Sequence, residues 1–486
     1  LEHKYAAVFF HLKTAAQREG AALEREVLGE NPSQLCRSTH ALLQSLETRQ
    51  EGARVTQEDY REVIELLREA VSSPEYQAPK TTLDRECKSL IQHLCWERFA
   101  GVTMKEHIPE AVELFLGAPF DVEGLTLQEL PARLTLLHAQ IARGKEIHGK
   151  PKLALMKQQL KGAVGVDSDP QTHSNVPHVR RFFHLGDRLI TSLRYGSPTK
   201  EGTALLSRRG HRGVEPANAT IADDYRGYLD QSASLGQHIL YANLQRRGRE
   251  GKFLDGEHDR ALAIRKLEDE YSGCFHFLSI PYDNFDKYLR LEEETKVFKD
   301  RLIDDVLGGQ PDAADGNAFL LPQTLRDADQ VELQNDLSTI LESVHSLFFQ
   351  GNPLDRNDRL TCYLIFSSFL KRYVMQKCQI DALVSACKDN QDRGSVSAAI
   401  DELIDLFLLG EENDPRRLRD LCLQLFAPAI LIKKQPVLKD RLELLHKVAL
   451  RLAQLGDKKA LQTRMNERPD LFPPITQVEY PVAVTV

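Results

Sequence analysis

The chain begins in helical period. Across "QEDYREVIELLREAV" (57–71), Tyr60, Val63, Ile64, Leu66, Leu67 and Val71 fall mainly on one face, as an amphipathic helix requires. "TTLDRECKSLIQHLCWERFAG" and "HIPEAVELFLG" continue the pattern, with Asp and Thr cap signals ahead of the runs and Gly behind them. "TLQELPARLTLLHAQIARGKEIHG" adds a helix with Pro131 in an early turn. Residues 5–165 therefore read as helices.

From about 166 the pattern changes. "GVDSDPQTHSNVPH" is turn-rich, and Gly, Pro and aromatic residues then recur among short apolar runs such as "GCFHFLSIPYDNFDKYL". "ATIADDYRGYLDQSASLGQHILYANLQRR" reads as a helix with a basic end, and "GNPLDRNDRLTCYLIFSSFLKRYVMQKC" as a buried helix. A short apolar strand is expected from Ala382 to Ala386. Beyond it, Val396, Ala399, Ile400, Leu403, Ile404, Phe407 and Leu408 keep the helical spacing, from a start near Gly394 to a stop at Gly410. Two more helices are expected after 410, the first capped by Asp414 with Pro415 in its first turn, and then an extended, poorly packed tail. The expected fold class is an α-rich α/β protein. It divides into an N-terminal helical region (1–165), a central α/β region (166–410) and a C-terminal helical region (411–486).

Composition narrows the function classes. Of the 486 residues, 42% are hydrophobic and 28% charged, which is globular, and no window approaches the ~20 apolar residues of a membrane span. The net charge of -8 argues against bulk nucleic-acid binding but leaves room for a local basic pocket. The eight cysteines are irregularly spaced without a CxxC pair, so a reducing, cytoplasmic setting is expected rather than a disulfide framework. The chain starts at Leu1 rather than Met, as a trimmed fragment would.

The candidate chemistry lies in "SACKDNQDRGSVS" (385–397), where strand should meet helix. The first N–H groups of a helix lack intrahelical partners and point back towards the preceding loop, forming an anion site. A thiol facing such a site ionises more readily than a free one, and an arginine offers a planar fork for two phosphate oxygens. Cys387 and Arg393 close the two ends of this loop, so both groups can face one bound phosphate. This pattern suits in-line attack by a thiolate on phosphorus, with the guanidinium and backbone amides holding the equatorial oxygens. The plain alternative is a small buried cysteine beside a solvated turn with local ion pairs.

The motif "CKDNQDRG" resembles the catalytic loops of cysteine-dependent phosphoinositide phosphatases. Its form Cys-x-Asp-x-x-Asp-Arg is similar to the myotubularin and Sac-type families. It also resembles the Cys-x5-Arg phosphoinositide phosphatases that intracellular bacteria such as Legionella inject into host cells. The resemblance covers the loop alone. It implies Cys387 as nucleophile, Arg393 as phosphate clamp and Asp392 as general acid. It also implies Asp389 as a second loop carboxylate and Lys388 as a contact for a further ring phosphate. Asn390 and Gln391 complete the cradle, in place of the central glycine of tyrosine phosphatases. Gly394 stands where the families usually carry a Ser or Thr whose hydroxyl stabilises the sulfur anion, and Ser395 follows it. The implied partner is a phosphoinositide head group at a membrane surface, with the 3-phosphate as target and a host cell as one setting. Two other readings stand beside it: a soluble inositol-polyphosphate phosphatase, and a non-catalytic phosphoinositide-binding or scaffold protein.

Further basic candidates for the pocket are Arg180 and Arg181, Arg194 in "LRYGSPT", "SRRGHRG" (207–213), "RRGR" (246–249), Lys433 and Lys434. For each, ordinary surface charge is the plain alternative, and Arg194, in a Gly/Pro turn, is the strongest. His173, His178 and His184 have no metal-ligand spacing, and His276, flanked by aromatics, reads as a core histidine. No Walker loop, Rossmann glycine pattern, HExxH or GxSxG occurs, and nothing in the sequence requires a metal or cofactor.

Overall fold

The computed structural model describes residues 9, 12–18, 32–47, 57–97, 112–113, 116, 124–147, 181–185, 188–193, 199–201, 219–245, 256–282, 288, 294–309, 319–387, 392–433, 436–455, 461, 463, 467–472 and 477–479. It is helix-rich around one mixed sheet, an α-rich α/β fold.

The N-terminal helices are α1 (Gln34–Glu47), α2 (Gln57–Ser72), α3 (Pro74–Gln77), α4 (Thr82–Trp96) and α5 (Leu130–Ile147). Thr81 and Asp84 form a reciprocal capping box at the start of α4, satisfying two otherwise orphaned N–H groups. The hairpin strands β1 (Arg181–Leu185) and β2 (Arg188–Leu193) come next, followed by β3 (Thr199–Glu201) and β4 (Ala219–Ile221), which pair with each other. Then follow α6 (Asp223–Ser234), β5 (Ile239–Asn243), α7 (Gly256–Glu270) and β6 (Phe275–Ser279).

The second half runs through α8 (Thr295–Leu307), α9 (Gln323–Arg326), α10 (Gln330–Phe349), α11 (Arg356–Lys377) and β7 (Ala382–Ala386). It ends with α12 (Arg393–Leu409), α13 (Pro415–Lys433), α14 (Lys439–Ala453) and β8 (Gln477–Glu479). The expected tail is thus partly in the sheet, since β8 pairs antiparallel with β1.

The six-stranded sheet has the order β6-β5-β7-β2-β1-β8. β6, β5, β7 and β2 are mutually parallel. Alternation along the strands sends side chains to two different cores. Ile239, Tyr241, Phe275, Phe277, Ala382 and Val384 join the apolar cluster under α6 and α7. Leu240, Ala242, Leu278, Leu383 and Cys387 join the larger cluster that includes α11 and α12.

The segment expected to be one helix, 219–247, is a strand, a helix and a strand. Gly236, at φ +65°, follows the end of α6, and "ILYAN" is then buried on both faces of a parallel pair. A strand buried on both sides shows no alternation, so its apolar run is indistinguishable from a buried helix by periodicity. α6 also ties the N-terminal helices to the sheet. Arg68 Nε donates to the buried Asp224 at 2.8 Å, and Tyr76 Oη donates to Asp230 at 2.7 Å. Gly227 permits the close approach: a Cβ there would lie 2.7 Å from Cys95 Sγ.

β6 is an edge strand, and its edge is covered. Phe277 N–H donates to the buried Glu268 carboxylate at 3.0 Å, and Ser279 exchanges backbone hydrogen bonds with Leu320. His276 is a core histidine as expected, 5% exposed, with its Nε2 3.1 Å from His238 Nδ1.

Burial, with the His238 ring adding to it, pushes the His276 imidazole down to about 4 from 6.5. The unfolded chain therefore binds more protons than the folded one between these values. His276 contributes stability that is complete above about pH 6.5 and lost as pH falls through about 4. Urea titrations across this window are expected to show roughly 2–3 kcal/mol of pH-dependent stability that His276→Gln abolishes. An unchanged slope in that variant counts against the assignment.

Candidate functional site

Cys387 leaves the carboxyl end of β7. The next strand, β5, sends its chain onward to α7 on one face of the sheet, whereas β7 leads to α12 on the other. Adjacent parallel strands whose connections part in this way leave a crevice at their carboxyl ends, where open α/β sheets bind ligands. Cys387 lies at that switch point. Asn243, paired in register with Ala386, ends the neighbouring strand, and its carboxamide donates to Ser279 Oγ at 3.2 Å and Gln245 O at 3.0 Å.

The strand–loop–helix order matches expectation closely. β7 spans Ala382–Ala386 and α12 begins at Arg393, one residue before the expected start. α12 ends at Gly410, in the left-handed conformation at φ +76°. Its N–H bonds to Phe407 O, and Glu411 N–H to Leu406 O, so the orphan carbonyls are closed off.

Asp392 is the residue before α12, but its side chain does not cap the helix. Its carboxylate accepts from Leu438 N–H at 3.4 Å, which ties the loop to the turn before α14. Ser395 Oγ donates to Asp392 O at 3.3 Å. Cys387 is 4% exposed, Arg393 8% and Ser395 fully buried, so each of the three lies below the surface. Gly394 is also buried in this turn. Lys388, Asp389, Asn390, Gln391 and Arg194 lie outside the described residues. So do Arg180, 207–213, 246–249, Lys434 and the side chains of Arg181 and Lys433.

Beneath the first turn is a polar assembly that the apolar pattern of α12 conceals. Arg393, Ser397, Asp401 and Asp405 recur every four residues, on one stripe of a buried helix. α11 supplies the complement. Lys371 Nζ donates to Ser397 Oγ at 3.0 Å and pairs with Asp401, while Arg372 pairs with Asp405. Tyr282, just beyond β6, shares a hydrogen bond with Ser397, and burial raises its hydroxyl above the ordinary tyrosine value. Arg441 of α14 donates to Tyr282 O at 2.8 Å. Apart from Arg393, sequence reasoning missed all of these residues. The available signal was the four-residue recurrence of polar side chains, together with a Lys–Arg pair inside the apolar run of α11.

All eight cysteines are free and buried, and no group of three or more metal-binding side chains occurs among the described residues. No described helix is long and apolar enough to cross a membrane. No protein-family model matches the chain, nor does any curated protein or solved structure. The site must therefore be interpreted from its own geometry.

Removing one partner of a buried ion pair leaves the other charge uncompensated, at about 3–5 kcal/mol. Asp405→Ala is expected to lower stability by that order in urea unfolding. Arg372→Leu with Asp405→Leu should recover most of the loss. A double variant as unstable as the single one would show that the pair is more than a matched burial.

Proposed function

We propose that this chain is a cysteine-dependent phosphatase acting on phosphate monoesters of phosphoinositide head groups. The observation that carries this reading is the placement of Cys387 and Arg393. They join the carboxyl end of β7 to the first residue of a 17-residue helix, at the switch point of a parallel sheet. A dianionic phosphate there meets the helix N-terminus and a guanidinium fork together.

In this mechanism the Cys387 thiolate attacks phosphorus in line. The bond from phosphorus to the ring oxygen breaks as Asp392, in its acid form, protonates the leaving alcohol. Arg393 and the first-turn amides hold the three equatorial oxygens as charge redistributes. The Asp392 carboxylate left by that step takes a proton from water as the water attacks the phosphocysteine, so the phosphorus–sulfur bond breaks, inorganic phosphate leaves, and both the thiolate and the acid are restored. The motif's likeness to phosphoinositide phosphatase loops favours a lipid head group and its 3-phosphate, with peripheral membrane contact and a role as a bacterial effector in a host cell. A soluble inositol polyphosphate is the alternative substrate with the same chemistry.

A second reading, a phosphate-holding protein without turnover, is favoured by two observations. Cys387 is 4% exposed within the apolar core, and Gly394 supplies no hydroxyl next to Arg393.

Phosphate release from a phosphoinositide panel, with the bare inositol phosphates alongside, tests these readings. Release by wild type from a few lipids and at least a thousand-fold less by Cys387→Ser, at an unchanged melting temperature, is the expected outcome. Full activity in Cys387→Ser would rule out the phosphocysteine route. Vesicle binding without any release would favour the holding protein.

A further inference from the structure

We infer that Lys371, acting through Ser397, is the positioning residue that holds the first turn of α12 against Cys387. This rests on the reading of Cys387 and Arg393 as the reacting pair. α11 is buried from Arg359 to Met375 and α12 from Arg393 to Leu408. Two helices packed through apolar side chains can adopt neighbouring registers at similar energy, so apolar packing alone defines their mutual position poorly. Charged pairs permit one register, because any slip leaves a buried charge unmatched.

The nearest such pin to the site is Lys371. Lys371 is 2% exposed, and its ammonium donates to Ser397 Oγ at 3.0 Å and pairs with Asp401 one turn further along. Ser397 lies four residues after Arg393, about 6 Å along the helix axis and on the same stripe. Tyr282 reaches the same Ser397 from the end of β6. One hydroxyl therefore joins α11, the β6 exit and α12, one turn after Arg393. A displacement of about 1 Å at a catalytic group can reduce a rate by a hundredfold, so a loosened first turn would be felt at Cys387.

The test uses the full chain and does not depend on any substrate. In the proposed arrangement the start of α12 faces the sulfur, so iodoacetamide, which reacts with thiolates, is expected to alkylate Cys387 more slowly when that turn is displaced. Alkylation of Cys387 at pH 7 is followed by peptide mass spectrometry in wild type, Ser397→Ala, Ser397→Thr, and Lys371→Met with Asp401→Leu. Ser397→Ala and the double variant are expected to slow alkylation about tenfold while melting within a few degrees of wild type. Ser397→Thr, which retains the hydroxyl, is expected to react at the wild-type rate.

Equal alkylation in all four proteins overturns the inference, whatever the lipid panel shows. If the double variant does not fold, Ser397→Ala decides alone, because it leaves the Lys371–Asp401 pair intact. Slowed alkylation in a protein that releases no phosphate leaves the positioning role standing and removes the phosphatase reading.

Discussion

Two helices buried on nearly every side cannot direct all their polar groups to water. α11 and α12 resolve this by matching: Lys371 with Asp401 and Ser397, and Arg372 with Asp405. Desolvating these charges is expensive, and the pairs add little net stability over well-packed apolar residues. What they add is uniqueness. α12 carries Arg393 at its first residue and packs beside β7, so the register set by the pairs also sets where the guanidinium stands relative to Cys387.

The surrounding elements keep that arrangement in place. α13 and α14 pack on the outer side of α12, and the turn before α14 reaches back to the Asp392 carboxylate. α5 joins from the N-terminal region, where Leu127 N–H donates to Asn413 and His138 to Val437 O. On the opposite face of the sheet, α6 fastens the first helices through Arg68–Asp224. The apolar core runs without interruption from Phe9 to Phe472, so the helices at both ends of the chain buttress the crevice.

Much of this was legible where the information is local. β7 and α12 could be placed because an apolar strand, a polar turn, a helical stripe and a terminal glycine are each encoded within a few residues. α4 was marked by its caps for the same reason. "ILYAN" was not legible as a strand, since burial on both faces erases the two-residue period. The Arg393–Ser397–Asp401–Asp405 stripe was written at helical spacing, yet a search for apolar periodicity passes over the polar members. Their partners on α11 are some thirty residues away and meet them only after folding. Sheet order, and with it the switch point, depends on long-range pairing that no local pattern encodes.

The burial of the thiol gives the site its character. A charge removed from water is tolerated only against fixed opposite charge or aligned donors, and a mobile surface cation would not suffice. At the end of β7 both are built from backbone and core: the N-terminus of α12 and Arg393, 8% exposed and set by a helix that cannot slide. In the proposed reaction such rigidity matters, because positioning and electrostatics do nearly all the work of phosphoryl transfer. The same rigidity serves a protein that only holds phosphate. The two proposed functions share this scaffold and part at one step, whether the Cys387 sulfur attacks the phosphate held beside it or leaves it intact.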